Sequence, residues 1–217
     1  ADAGVVFATL TDHETIDGLS RFEAALQQRG IGSVSGVEIP AVWHGEEIHL
    51  LIYGFDATHP AFLAALGALR QLRDTATQSV AGALRRVGST AADSPPVAPG
   101  GITAPFAAAD AIAMAHRAGG RVFLAHPLLL RADPAELRPL LIELQANGLD
   151  GIEALYAPSP AEACAALVSL AAERGLLVSA GTDFHTLEDS RADGLGVDVP
   201  NALWQPFRDA LHLQAAT

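Results

Sequence analysis

From residue 107 to residue 180 the chain alternates, almost without interruption, between helical periods and short apolar runs. The spacing predicts helices over 107–118, 134–147 and 160–174, and strands over 121–125, 150–155 and 176–180. Strands separated by helices pair in parallel, as a sheet or barrel of the α/β class whose strand ends converge on one mouth. The runs also end alike. Ala125-His126-Pro127 follows Val122-Phe123-Leu124, and Gly181-Thr182-Asp183-Phe184-His185 follows the run 176–180. Near the start, Thr11-Asp12-His13 follows the apolar run 5–10. Imidazoles and carboxylates at several strand ends are what an α/β barrel uses to build a metal site.

The first half follows the same plan with one interruption. Residues 4–10 read as a strand, 16–29 as a helix with Leu19, Phe22 and Leu26 on one face, and 32–39 and 47–55 as strands joined by a turn at His44-Gly45-Glu46. Residues 60–87 have helical spacing, and 88–105 collect Gly, Ser, Thr, Asp and four Pro as a loop or linker. The expected organisation is one α/β domain over 1–59 and 106–217, with 60–105 as an inserted helical and loop segment.

Composition narrows the function classes. A net charge of −12 argues against stable binding of duplex nucleic acid through a broad basic surface. It leaves room for a small nucleotide whose charge is met locally by cations. All 13 basic residues are Arg, which excludes Schiff-base chemistry and a phosphate-loop lysine. Cys164 is the single cysteine, so there is no intramolecular disulfide and no cysteine zinc cluster. No apolar run reaches membrane-spanning length and no leader is visible, so a cytoplasmic, membrane-free location is expected.

Asp183 and His185, at i and i+2, would point the same way on an extended strand. His126 precedes a strand-stopping proline, Glu38 ends the 32–39 run, and His49 alternates with Ile48 and Leu50. With His13 these make four imidazoles and two carboxylates, a nitrogen and oxygen set suited to Mn²⁺, Fe²⁺ or Zn²⁺.

On these stretches the chain resembles the PHP (polymerase and histidinol phosphatase) family of metal-dependent phosphoesterases. The motifs that carry the resemblance are 10–15, Gly36-Val37-Glu38-Ile39, His49 to Gly54, 118–127, 148–153 and 181–185. The resemblance implies a distorted (βα)7 barrel with up to three divalent metals. His13 and His185 would bind one ion, Asp183 and Glu38 a second, and Glu38, His49 and His126 a third. It implies attack of a metal-bound hydroxide on phosphorus, with Asp12 orienting a ligand from behind and serving the catalytic set.

The family opens with an Asp-x-His-x-His strand and a Ser-Asp-Gly-like segment. No His-x-His occurs in this chain, so the expectation is a barrel whose first βα unit is absent from the sequence. The insertion also lacks the Gly-Arg-Pro-His-like motif of the branch acting on nucleotide bisphosphates and short RNA. The expected activity is hydrolysis of a phosphomonoester, or of the terminal phosphodiester of a small nucleotide or short oligonucleotide. The alternatives are a histidinol-phosphatase-like activity and a non-catalytic metal-binding module.

Outside the motifs, Arg131 is the candidate for reaching a substrate phosphate, with a solvated loop arginine as the plain alternative. Glu153 and Tyr156 either line the mouth or serve structure, and Tyr156 could stack on a base. His44, His59, His116 and His212 read as surface or structural residues, and Cys164 as packing.

Overall fold

The computed structural model describes residues 4–86, 106–186 and 196–213. The predicted loop 88–105 lies outside the described residues.

Five strands form one mixed sheet in chain order: β1 (Gly36–Trp43), β2 (Glu46–Tyr53), β3 (Arg121–Leu124), β4 (Gly151–Tyr156) and β5 (Leu177–Gly181). β1, β2 and β3 pair antiparallel, and β3, β4 and β5 pair parallel. The predicted hairpin is present, but β1 runs four residues past the expected stop at 39. The turn at His44 and Gly45, both with positive φ, reverses the chain only after Trp43 has paired with Glu46.

The residues read as a first strand make a different structure. Phe7 forms a single parallel bridge to Gly32, and Val6 is exposed. His13 forms a second parallel bridge, to Glu38, on the free edge of β1. Two isolated bridges replace a continuous strand, and the described residues give a five-stranded sheet flanked by helices.

The helices are α1 (Leu19–Gln27), α2 (Pro60–Arg86), α3 (Ala108–Arg117), α4 (Pro127–Leu130), α5 (Arg138–Ala146), α6 (Ala161–Arg174) and α7 (Asn201–Ala210). α4 was not anticipated. The predicted helix over 134–147 divides into a 3-10 turn, Pro134–Leu137, and α5, with Pro139 in the first turn of α5, where its missing N–H costs nothing. α6 stops at Gly175, whose φ of 66° is left-handed and open to glycine without strain. Among the described residues no helix is long and apolar enough to cross a membrane.

Alternation along the strands sends side chains to two faces. Val37, Ile39, Ile48, Leu50, Val122, Leu124 and Ile152 face the main core, packed with Phe62, Leu66 and Leu69 of α2, Leu141 and Leu144 of α5, and Leu167 of α6. The opposite face carries a smaller aromatic core of Leu51, Tyr53, Phe123, Ala125 and Phe207, with Phe7 and Trp204 packed against it. Glu38 is the register partner of Leu51, and His49 is the next residue but one along β2, so both belong to this second face. That face therefore divides along its length into an apolar half closed by α7 and a polar half that holds the site.

Candidate metal centre

Three imidazoles converge on the carboxylate of Glu38. His49 Nδ1 lies 2.7 Å from Glu38 Oε1, and His126 Nε2 lies 3.2 Å from the same oxygen. His13 Nε2 lies 3.9 Å from Oε2. Ligand atoms of His13, Glu38 and His49 all fall within 4.8 Å of one another. The ring of His49 is 5.3 Å from that of His13 and 5.2 Å from that of His126. Each member reaches the cluster from a different element: His13 from the bridged segment beside β1, Glu38 from β1, His49 from β2, and His126 from the residue that caps α4.

This donor set fits a divalent cation. Glu38 is buried and offers two oxygens, and the Nδ1 atoms of His13 and His126 are buried without a hydrogen-bond partner. A buried unpaired nitrogen costs about 1–3 kcal/mol, and imidazole with carboxylate is the ligation that Zn²⁺, Mn²⁺ and Fe²⁺ accept. Burial alone would push the Glu38 carboxyl up. The hydrogen bonds from His126 and His49, with the charge of His13, outweigh it and hold the group well below the usual carboxylate range. His13 moves down from the ordinary histidine value because burial disfavours its charged form. His126 moves up, since the hydrogen bond and charge of Glu38 overcome its burial.

Asp183 and His185 stand beside this cluster. The ring of His185 is 6.1 Å from that of His13. Asp183 Oδ2 accepts a hydrogen bond from the Tyr156 hydroxyl at 3.0 Å. The two are not on an extended strand as expected: β5 ends at Gly181 and Asp183 has a φ of 49°. The reversed backbone still turns both toward each other, with His185 Nδ1 3.4 Å from Asp183 Oδ1.

Non-glycine residues with positive φ gather here. Glu14, His126 and Asp183 are three of the five among the described residues. Such backbone is costly, and it collects where surrounding contacts hold a side chain in a required direction.

Asp12 lends its carbonyl to the pairing with Glu38 N, while its side chain is exposed and turned toward Gly18. Arg131 forms a two-pronged pair with Glu46, both bonds 2.6 Å long, at the start of β2. Neither side chain joins the imidazole cluster in this structure.

Three residues outside the expected set support the site. Glu153 is buried, and its Oε2 accepts the backbone N–H of His126 at 2.8 Å. Its carboxyl is pushed up to about 7, first by burial, against the N–H and charge of His126. Tyr156 holds Asp183 and lies 6.1 Å from the His126 ring. Glu14 is 3% exposed and pairs with Arg73 of α2 at 2.9 Å. Glu153 and Tyr156 were legible as strand-end polar residues, with their roles open. Glu14 gave no signal beyond its place after His13.

No family model matches the chain. A 5'-3' exoribonuclease of Haemophilus influenzae is 29% identical over 219 residues, covering 84% of this chain and 80% of that protein. A 3',5'-nucleoside bisphosphate phosphatase of Chromobacterium violaceum is 26% identical over 231 residues, covering 88% of this chain and 81% of that protein. Among solved structures, an amidohydrolase from Chromobacterium violaceum superposes with a TM-score of 0.80 at 23% identity, over 94% of this chain and 86% of that one. The chain thus shares the fold of that structure, and the two curated relatives, matched along four-fifths of their lengths, are hydrolytic enzymes.

Proposed function

We propose that this chain is a metal-dependent phosphoesterase of the PHP type, hydrolysing a phosphomonoester or the terminal phosphodiester of a small nucleotide or short oligonucleotide. The observation that carries the reading is the convergence of His13, His49 and His126 on the buried Glu38 carboxylate, with two ring nitrogens left without partners. The named activities of the two relatives, on RNA and on a nucleoside bisphosphate, supply the substrate class.

His13, Glu38, His49 and His126 would hold divalent cations, with Asp183 and His185 completing the set on the side of His13. Bound there, such ions neutralise phosphate oxygens and acidify water at neutral pH. The chain's own residues prepare this. Glu38 stays ionised at any physiological pH because its imidazole partners stabilise the charge. Glu153 fixes the backbone of His126 through its N–H, and Tyr156 fixes one oxygen of Asp183. With a net charge of −12, the chain suits a short substrate better than an extended polyanion. In this reading 1–59 and 106–217 make the barrel domain and 60–105 the insertion.

The test is elemental analysis of the purified chain, with phosphate release from p-nitrophenyl phosphate and a nucleoside 3',5'-bisphosphate after Mn²⁺ addition. The expected result is at least one ion per chain, turnover, and a rise in melting temperature reversed by chelator. Glu38→Gln should weaken Mn²⁺ binding by about 10–100-fold or more and remove turnover while leaving the circular dichroism spectrum intact. Full metal content and full activity in that variant would refute the site.

A further inference from the structure

Helix α2 carries two arginines one turn apart, and both reach back to the segment that follows His13. Arg70 Nη1 pairs with Asp17 Oδ2 at 2.6 Å and lies 3.5 Å from the Thr15 hydroxyl. Arg73 Nη1 pairs with Glu14 Oε2 at 2.9 Å. Earlier in the helix the same stripe is anchored in the core by Phe62, Leu66 and Leu69, at i, i+4 and i+7. The helix therefore lies as a fixed beam over the 14–17 segment, with Arg73 beside the metal cluster. Its charge is felt at His13, where it adds to the larger effect of burial in lowering the ring's proton affinity.

The two partners of this ion pair are unequally exposed. The Glu14 side chain is 3% exposed and the Arg73 side chain 44%. Glu14 is fixed by a left-handed backbone and by its N–H donated to the Glu38 carbonyl at 2.9 Å. The guanidinium, by contrast, pairs with Glu14 through Nη1 while its side chain stays partly exposed. Arg131 differs: both of its terminal nitrogens are engaged by the two oxygens of Glu46. In so acidic a chain, a partly exposed cation pinned to the residue that follows His13 is suited to an anion held next to the reacting group. A guanidinium offers paired N–H donors that match phosphate oxygens.

We propose that Arg73, held in place by the buried carboxylate of Glu14, binds the non-reacting phosphate of a substrate that carries two, while the reacting ester sits at the His13, Glu38, His49 and His126 cluster. The proposal rests on the phosphoesterase reading above and adds the residue that makes a second phosphate matter. Glu14 is then a positioning residue, which acts on substrate only through Arg73.

The test compares Arg73→Ala, Arg73→Gln and Arg73→Lys with the unaltered Mn²⁺-supplemented chain, on adenosine 3',5'-bisphosphate and on p-nitrophenyl phosphate. Arg138→Ala, which breaks an exposed pair with Glu173, is the control. Arg73→Ala should raise KM for the bisphosphate about 10–100-fold, the worth of a charge-assisted hydrogen bond or two. The loss in kcat/KM should be at least tenfold greater on the bisphosphate than on p-nitrophenyl phosphate. Arg73→Lys should restore part of the KM, and Arg73→Gln none. Equal losses on both substrates, or no loss on either, would overturn the proposal. Should Arg73→Ala fail to fold, the same comparison is made with Arg73→Gln and Arg73→Lys.

If the unaltered chain hydrolyses neither substrate, the phosphoesterase reading fails and Arg73 is judged by calorimetric binding of adenosine 3',5'-bisphosphate. Binding at least tenfold weaker in Arg73→Gln supports the role of Arg73. Equal binding, or none to the unaltered chain, overturns it.

Discussion

Gly181 shows how closely the site is built. A Cβ placed there would collide with Glu153 Oε1, the partner of the oxygen that accepts the His126 N–H. Gly181→Ala must move the Glu153 carboxylate, and His126, already at a φ of 28°, loses the contact that holds its backbone. The expected outcome is a stability loss of about 1–3 kcal/mol in urea denaturation and Mn²⁺ binding weakened about tenfold by calorimetry. Unchanged metal affinity would show that Glu153 does not position His126. At Arg131 the prediction concerns pH. The side-chain hydrogen bonds from Arg131 hold the Glu46 carboxyl below its ordinary value of 4.5. A carboxyl depressed on folding contributes stability above its unfolded value and loses it as pH falls through the folded one. Arg131→Ala should therefore lower the melting temperature slightly at pH 7 and leave it unchanged at strongly acidic pH, with the difference shrinking in high salt. At this scale the sequence was informative where a residue type is rare at its position. An in-strand His49 or a strand-end His126 stands out among apolar neighbours. Glu14 and Arg73 did not, because an acid in a loop and an arginine on a helix are ordinary, and only the folded chain pairs them across 59 residues.

At the level of elements, the alternation that predicted the parallel half held: α3, β3, α5, β4, α6 and β5 fall within a few residues of their expected ranges, with the helix over 134–147 opened by a 3-10 turn. The N-terminal segment departed from it. Residues 5–10 are apolar enough for a strand, yet they meet the fold through the Phe7–Gly32 bridge and through Phe7 packed 5.0 Å from Trp204 of α7. The deciding contact comes from the far end of the chain, where no local pattern reveals it. α7 closes the apolar half of the site-bearing face through Phe207, whose ring lies 5.6 Å from both Tyr53 and Phe123. Phe207→Ala should cost about 3–5 kcal/mol in equilibrium unfolding. A loss below 1 kcal/mol would mean that α7 does not support this face.

Across the whole molecule, the sheet does two incompatible jobs on one face and separates them along its length. The half near Tyr53 and Phe123 is dry and aromatic, and the half near Glu38 and His49 is polar. A buried carboxylate among three imidazoles is tolerable only because the other face supplies a continuous core from all five strands and from helices α2, α3, α5 and α6. The sequence by itself determined the α/β class, the order of elements over the parallel half, and the nitrogen and oxygen donors available to the candidate site. Those follow from periodicity and residue type, which are local. The tertiary structure alone decided which donors meet. Antiparallel register set Glu38 and His49 on one face, a single bridge brought His13 to Glu38, and reversed backbone at His126 and Asp183 aimed their side chains. It also decided that α2 pairs Arg73 with Glu14, the residue after His13. Register, bridge partners and the sign of φ are fixed by contacts between segments far apart in the chain, so they become visible only once the chain has folded.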